Sequence, residues 1–112
     1  MIKVIVYRKE NELTGFELSG HAKSGPYGYD LVCAGVSAVS FGAINAVMKL
    51  CDVDLPVTQG CDGGYLSVTI PVSMDESIKQ KAILLFEGMV ISLETIEREY
   101  GKFITIENKQ EV

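Results

Sequence analysis

The feature that most constrains the fold is a change of hydrophobic period along the chain. Alternating apolar and polar residues predict β-strands, whereas apolar residues spaced by three and four predict helices. Strand-like segments lie at both ends and in the middle, and two long helical segments separate them. In chain order, we predict strands at Ile2–Arg8 and Thr14–Ser19, a helix at Asp30–Cys51, strands at Leu55–Gln59 and Tyr65–Pro71, a helix at Asp75–Tyr100 and a strand at Lys102–Glu107.

This order, ββαββαβ, predicts an α+β two-layer sandwich with two helices on one face of a mainly antiparallel sheet. The chain has 112 residues, which fit one domain, and we expect a single domain over residues 1–112. The first predicted helix carries small and apolar residues on nearly every side. We therefore expect it to be buried or closely packed against other backbone.

The formal net charge of −5 predicts an acidic surface. Such a surface repels phosphate, so we expect no direct nucleic-acid partner, and it would attract a basic protein or peptide. The segment Met1–Tyr7 lacks the pattern of a secretory signal, and no apolar run looks long and uninterrupted enough to span a membrane. We therefore expect a cytoplasmic protein without a membrane partner.

The chain contains three cysteines, Cys33, Cys51 and Cys61, and a single histidine, His21. An odd number of widely spaced cysteines is a poor disulfide framework. Tetrahedral zinc needs four ligands, usually in close pairs, and this spacing offers none, so we expect no metal site. We interpret Cys51 and Cys61 as structural or incidental.

Cys33 is the candidate nucleophile. With Asp30 as the predicted N-cap, Cys33 lies in the first helical turn. The unpaired amides there and the positive end of the helix dipole favour a thiolate, and the same amides can stabilise an oxyanion. Asp30 opposes the thiolate by like-charge repulsion, but it can instead orient an imidazole.

His21 is the candidate base, because a cysteine nucleophile is commonly activated by a histidine. It follows Gly20, which ends the second predicted strand, and the facing ends of that strand and the first helix can lie close together. Ser37, one helical turn after Cys33, lies on the same helix face. We predict a mobile loop between strand and helix over His21–Tyr29, which includes Ala22, Gly25, Pro26, Tyr27, Gly28 and Tyr29.

The residues alone leave two alternatives open. A cysteine in a helix of small residues is often a packed apolar side chain, so the chain could be a non-catalytic binding module; under the resemblance described next, the partner of that module would be a ribosomal or assembly protein. An accessible cysteine could also act as a redox sensor if Cys61 were its partner. Cys51 lies too far along the helix from Cys33 for a disulfide.

Longer motifs resemble a known family. Gly20-His21-Ala22, a glycine-bearing loop and the segment GYDLVCAGVS at 28–37 are similar to the signature of the ribosomal-processing cysteine proteases of Firmicutes and related bacteria. The resemblance continues through Asp62-Gly63-Gly64 and the segment SLETIEREY at 92–100, and so covers almost the whole chain.

The resemblance implies a cysteine endopeptidase that removes the N-terminal extension of a large-subunit ribosomal protein, cutting after paired aromatic residues. It implies Cys33 as the nucleophile and His21 as the general base and acid, with supporting roles for Asp30 and Ser37. It also implies a homodimer, a mobile loop over the site at Ala22–Tyr29, and chemistry without a metal or organic cofactor.

Overall fold

Strands and helices follow one another in the predicted order ββαββαβ. The computed structural model describes residues 1–20, 28–60 and 64–111. The elements are β1 (Ile2–Lys9), β2 (Glu12–Ser19), α1 (Gly28–Leu50), β3 (Val57–Gln59), β4 (Tyr65–Thr69), α2 (Glu76–Tyr100) and β5 (Ile104–Gln110).

The five strands form one sheet in the order β3-β4-β2-β1-β5. The β3–β4, β4–β2 and β2–β1 pairs are antiparallel, whereas β1 and β5 run parallel. Alternate residues of the strands, such as Val4 and Phe16, are buried in a core to which both helices contribute. The predicted α+β fold with a mainly antiparallel sheet is confirmed.

The β1–β2 hairpin turns at Glu10 and Asn11, which both have positive φ, 52° and 69°. Two such residues in succession are typical of the tight turns that match strand twist. The pairing shifts between Tyr7 and Arg8, so that Tyr7 faces Gly15 and Arg8 faces Leu13. This bulge interrupts the alternating pattern, which is why β2 begins at Glu12 and not at the predicted Thr14.

Helix α1 begins at Gly28, two residues before the predicted N-cap. Asp30 is therefore the third residue of α1 and Cys33 the sixth, so the N-cap assignment and the first-turn position of Cys33 are wrong. The physical reason is that aspartate is favoured both as a cap and within the first turn, where the helix dipole attracts negative charge. Gly28 and Tyr29 accordingly belong to the helix and not to the predicted loop.

Helix α1 is buried on one face only, so of the two expected arrangements it is not enclosed but packed on one side. Val36, Ile44 and Val47 lie in the core, whereas Leu31 is 60% and Phe41 38% exposed. The sheet and α2 cover part of the helix circumference and leave the outer face to solvent. The small residues therefore allow close packing without enclosing the helix.

The segment Leu31–Leu50 of α1, with a mean hydropathy of 1.9, is long and apolar enough to cross a membrane. The expectation that no apolar run reaches that length is wrong. Core helices of soluble proteins pass the same test. Helix α1 packs against the sheet and supplies core side chains, and 28% of this apolar segment is buried within the fold.

Helix α2 presents one apolar stripe to the sheet, as predicted from its spacing. Its Phe86 ring packs against Phe16 of β2 with ring centroids 5.2 Å apart and an interplanar angle of 65°. The strands on either side differ from prediction at their ends. β3 begins only after Pro56, which lacks an N–H donor for the ladder, and β5 starts at Ile104 because the Phe103 amide still donates to the Tyr100 carbonyl.

Candidate active site

Cys33 lies in the second turn of α1, and its side chain is half-buried. It borders a cavity of about 270 Å³ between α1 and one end of the sheet, which we call the Cys33 cavity. Apolar residues of β1, β2, β4 and α1 line it together with polar and glycine residues. The lining residues include Ile2, Leu18, Gly20, Val36, Ser37, Ser40, Phe41, Gln59, Gly60, Gly64, Tyr65 and Leu66.

Gly20 fixes the end of β2 at this cavity. Its φ of 88° is a conformation that L side chains rarely adopt, and a Cβ there would clash with the Met1 carbonyl oxygen. The Gly20 amide donates a hydrogen bond of 2.9 Å to the Gly64 carbonyl, which ties β2 to the chain that enters β4. Gly20, which precedes His21 in sequence, thus lies at the same cavity as Cys33.

Ser37 borders the Cys33 cavity as predicted, one helical turn after Cys33 on the same face of α1. Its side chain is exposed, so its hydroxyl is available to a ligand in the cavity. The fold therefore brings three predicted residues to the Cys33 cavity: Gly20 from the end of β2, and Cys33 and Ser37 from α1.

The remaining predicted residues are less completely described. His21, Ala22, Gly25, Pro26 and Tyr27 lie outside the described residues. The backbone of Gly28, Tyr29 and Asp30 forms the first turn of α1.

Because α1 begins at Gly28, Cys33 lies farther from the positive end of the helix dipole than predicted. The four amides without intrahelical acceptors are the first four of a helix, here those of Gly28 to Leu31. The amide of Cys33, at the sixth position, is not among them, because Cys33 does not lie in the first turn as predicted. The dipole field also weakens beyond the first turn, which gives a separate base a larger part in forming the thiolate.

Several lining residues were missed by sequence reasoning. Gln59, Gly60, Gly64 and Tyr65 reach the cavity because β4 lies beside β2 in the sheet. These residues reach the cavity only because strands distant in sequence pair in the sheet, and no local sequence pattern predicts that pairing. Ser40 had a local signal, since it follows Ser37 by three residues on the same helix face.

Within the part of the chain that the structure describes, no three His, Cys, Asp or Glu side chains come together as a metal-binding group. The described lining of the Cys33 cavity also contains no charged residue. The described part of the cavity wall is therefore neutral and largely apolar.

Comparison with known proteins identifies similar chains. Residues 1–105 match the family model described as cysteine protease Prp. The ribosomal processing cysteine protease Prp of Bacillus subtilis (strain 168) is 48% identical over 101 residues, which cover 89% of this chain and 90% of the relative.

Two crystal structures are close in fold. The ribosomal processing protease Prp of S. aureus, in complex with a covalently linked product peptide, gives a TM-score of 0.85 at 34% identity, covering 97% of this chain and 100% of that one. A Streptococcus mutans protein, SMU.848, gives a TM-score of 0.87 at 32% identity, covering 99% of this chain and 96% of that one.

Proposed function

The chain belongs to the cysteine protease family Prp, and from that premise we propose that it removes the N-terminal extension of a large-subunit ribosomal protein, with Cys33 as its nucleophile. The name of the Bacillus subtilis relative states ribosomal processing, and the S. aureus relative has been crystallised with a covalently linked product peptide. An acidic protein, with a net charge of −5, is suited to a basic ribosomal partner.

The observation that carries the assignment of Cys33 is its position at a cavity together with Ser37 and Gly20. A cysteine protease needs a thiol that a peptide carbonyl can approach, and the half-buried Cys33 borders open space beside α1. Cys51 follows the opposite end of α1, about 27 Å away at 1.5 Å per residue. It is therefore not a competing nucleophile for this cavity.

His21 is proposed as the general base and acid. It is the single histidine of the chain, and its neighbour Gly20 lies at the Cys33 cavity. The imidazole takes the proton of the Cys33 thiol, and the thiolate attacks the scissile carbonyl. The imidazolium then protonates the departing amine, and water, deprotonated by the same imidazole, hydrolyses the thioester.

Asp30 and Ser37 are proposed to support this pair. Asp30 precedes Cys33 by three residues, so both positions belong to one face of α1. A carboxylate there opposes a lone thiolate but stabilises an imidazolium, which makes proton transfer to His21 more favourable. Ser37 can donate a hydrogen bond to the bound peptide. We further propose that the segment Ala22–Tyr29 covers the bound peptide, with the first turn of α1 as its C-terminal end.

The test uses a peptide that spans the extension and the first residues of the mature ribosomal protein. Cys33→Ala and Cys33→Ser should lower cleavage by roughly a thousandfold or more, because the covalent route is lost. The matched control Cys51→Ala removes a half-buried thiol just beyond the C-terminal end of α1 and should leave cleavage unchanged. Circular dichroism checks that each variant is folded.

Normal turnover by Cys33→Ala would overturn the assignment of the nucleophile. A non-catalytic binding module predicts a different outcome, namely peptide binding with no product by mass spectrometry for any variant. A redox role predicts a Cys33–Cys61 disulfide in peptides from the oxidised protein. These three results are mutually distinguishable.

We also propose a cytoplasmic homodimer with no direct nucleic-acid or membrane partner. Exposed apolar side chains on the helical layer support self-association, since Leu84 is 72% and Ile91 64% exposed on α2. Light scattering during size-exclusion chromatography should give twice the 12.2 kDa mass of one chain. A monomer at micromolar concentration would contradict the homodimer and leave the protease assignment intact.

A further inference from the structure

One face of the sheet carries no helix among residues 1–20, 28–60 and 64–111. The helices pack on the other face, where Val4 and Phe16 are buried in the core. Alternate positions of the same strands point to the uncovered side, which we call the open face. At its centre lie five half-buried side chains: Ile5, Tyr7, Glu17, Tyr65 and Ser67.

Glu17 occupies the middle of the open face. In the sheet it lies opposite Ile5 of β1 and Ser67 of β4. Tyr7 and Tyr65 are its diagonal neighbours on these two strands, a separation that aromatic side chains can span. The Tyr7 phenol donates a hydrogen bond of 3.0 Å to the Glu17 carboxylate. Glu17 therefore lies between two tyrosines, one of which holds its carboxylate.

No lysine or arginine forms an ion pair with Glu17 within the part of the chain that the structure describes. The ion pairs found there are Lys3–Glu107, Arg8–Glu87 and Lys79–Glu76. Lys3 is the lysine nearest to Glu17 in the strand register, but its ammonium lies 3.9 Å from Glu107 of β5. The Glu17 carboxylate thus has a neutral hydrogen-bond donor and is open to a cation from outside the chain.

The surroundings of Tyr7 favour positive charge at this place. Burial and the hydrogen bond to Glu17 raise the pKa of the Tyr7 phenol, and the charges of Glu17, Tyr65 and Glu111 raise it further. Carboxylates that oppose a negative charge at Tyr7 favour a positive charge beside it. A lysine or arginine side chain placed here can pair with Glu17 and contact the tyrosine rings, which attract cations.

The open face is continuous with the Cys33 cavity. Ser19 and Tyr65 pair across β2 and β4, and both border the cavity. Ser19 follows Glu17 by two residues, so the two positions share a face and lie roughly 7 Å apart along β2. An extended peptide that leaves the cavity past Ser19 therefore reaches Glu17 within about two further residues.

We propose that the open face binds a lysine or arginine side chain of the substrate, with Glu17 as its ion-pair partner and Tyr7 and Tyr65 beside it. The inference rests on the proposed function, because it requires a peptide whose scissile carbonyl lies at Cys33. It adds a second binding surface, outside the Cys33 cavity, that selects a basic peptide. The apolar side chains proposed for self-association lie on the helical layer, so a homodimer formed there leaves the open face accessible.

The experiment compares a cleavable peptide that lacks lysine and arginine with variants that carry one lysine, placed in turn at each position up to about eight residues from the scissile bond. For at least one position, the wild type should show a KM about fivefold lower than for the neutral peptide. This ratio should approach one in about 1 M sodium chloride, which screens a partly exposed ion pair.

Glu17→Gln should also bring the ratio close to one, because its amide oxygen can still accept from Tyr7 but carries no charge. The matched control is Glu12→Gln, which removes an exposed carboxylate from the other end of β2 and should keep the wild-type ratio. Glu17→Lys should transfer the preference to a peptide with glutamate in place of the lysine. Circular dichroism checks that each variant is folded.

A binding measurement separates this inference from the proposed chemistry. Fluorescence anisotropy of the same peptides is recorded with Cys33→Ala and with Cys33→Ala/Glu17→Gln, which need no turnover. A lysine preference in binding that Glu17→Gln abolishes supports the open face even if cleavage fails.

Three results would overturn the inference. The first is the absence of a lysine preference at every position in both cleavage and binding, and the second is a preference that survives Glu17→Gln. The third is a change of oligomeric state in Glu17→Lys, measured by light scattering, which would assign the open face to a second copy of the chain.

Discussion

At the scale of single residues, Gly20 holds the end of β2 in a conformation that other residues resist. Its φ is 88°, and an added Cβ would clash with the Met1 carbonyl oxygen. Gly20→Ala should lower the free energy of unfolding by about 1–3 kcal/mol, because it combines left-handed strain with a backbone clash. It should also lower kcat/KM, since the backbone that leads into His21 must shift. Urea denaturation and peptide cleavage measure the two effects.

Gly88 provides the matched control on α2. A Cβ at Gly88 would meet nothing within 4 Å. Gly88→Ala should therefore stabilise the protein by about 0.5–1 kcal/mol through helix propensity, with cleavage unchanged. Equal effects of the two substitutions would contradict the role assigned to the Gly20 conformation.

Single residues also show how far sequence reasoning reaches. The spacing of Cys33 and Ser37 predicts that they share a helix face, and Gly20 is predicted to end its strand; the structure brings all three to one cavity. Ser40 was not predicted, because a serine within a run of apolar and small residues does not reveal whether its hydroxyl finds the carbonyl one turn earlier. That depends on packing and not on pattern.

At the scale of elements, Arg8 joins β1 to α2 and β5. Its guanidinium donates to both carboxylate oxygens of Glu87, at 2.7 and 2.8 Å, and its Nε donates to Asn108 at 2.9 Å. The hydrogen bonds from Arg8 lower the pKa of the Glu87 carboxyl below its ordinary value. Bidentate pairs of this kind are stronger than typical surface ion pairs.

The Arg8–Glu87 pair predicts a stability effect with a definite pH dependence. Glu87→Gln should reduce the free energy of unfolding by about 1 kcal/mol at neutral pH, since the pair is only partly exposed. Because the Glu87 pKa is lowered by folding, its contribution is complete above the ordinary carboxyl pKa and is lost as the pH falls through the folded value. The difference between wild type and variant should therefore shrink in acid. Urea denaturation across the acidic range measures it.

Glu99→Gln is the control for this measurement. Glu99 is an exposed residue near the end of the same helix, and its replacement should change stability by less than about 0.5 kcal/mol at every pH. A Glu87→Gln effect that persists undiminished at low pH would show that lost packing, and not the ion pair, is responsible.

The element order was predictable because hydrophobic periods and turn residues act locally. Element ends were not. A bulge opposite Tyr7 interrupts the alternating pattern, so the predicted start of β2 was two residues too late. Aspartate is favoured both as an N-cap and in the first turn, so the predicted start of α1 was also too late. The parallel pairing of β5 with β1 joins segments about a hundred residues apart, so only the assembled core selects it.

At the scale of the whole molecule, a single core joins the elements. Val4 of β1, Phe16 of β2, Val47 of α1, Phe86 of α2 and Ile104 of β5 are all fully buried in one cluster. No second core separates the sheet from the helices among the described residues. Neither layer can keep its apolar face covered without the other, which supports the expectation of a single domain.

A single core predicts one cooperative unfolding transition. The chain contains no tryptophan and five tyrosines, which include Tyr7 and Tyr65 on the sheet and Tyr100 on α2. Tyrosine fluorescence therefore reports tertiary surroundings in both layers, while far-ultraviolet circular dichroism reports mainly the helices. At one fixed protein concentration, the two signals should give the same urea midpoint. Phe86→Leu should move both midpoints equally and lower the free energy of unfolding by about 1–2 kcal/mol, because it removes the ring packed on Phe16.

Val72→Ala, at a position 93% exposed, should leave both midpoints in place. Separate midpoints for the two signals, or a Phe86→Leu shift seen by circular dichroism alone, would mean that the helical layer unfolds apart from the sheet. The Cys33 cavity lies between α1 and the sheet, so it could then open without global unfolding. If the transitions coincide, the geometry that holds Cys33, Ser37 and Gly20 together is as stable as the domain itself.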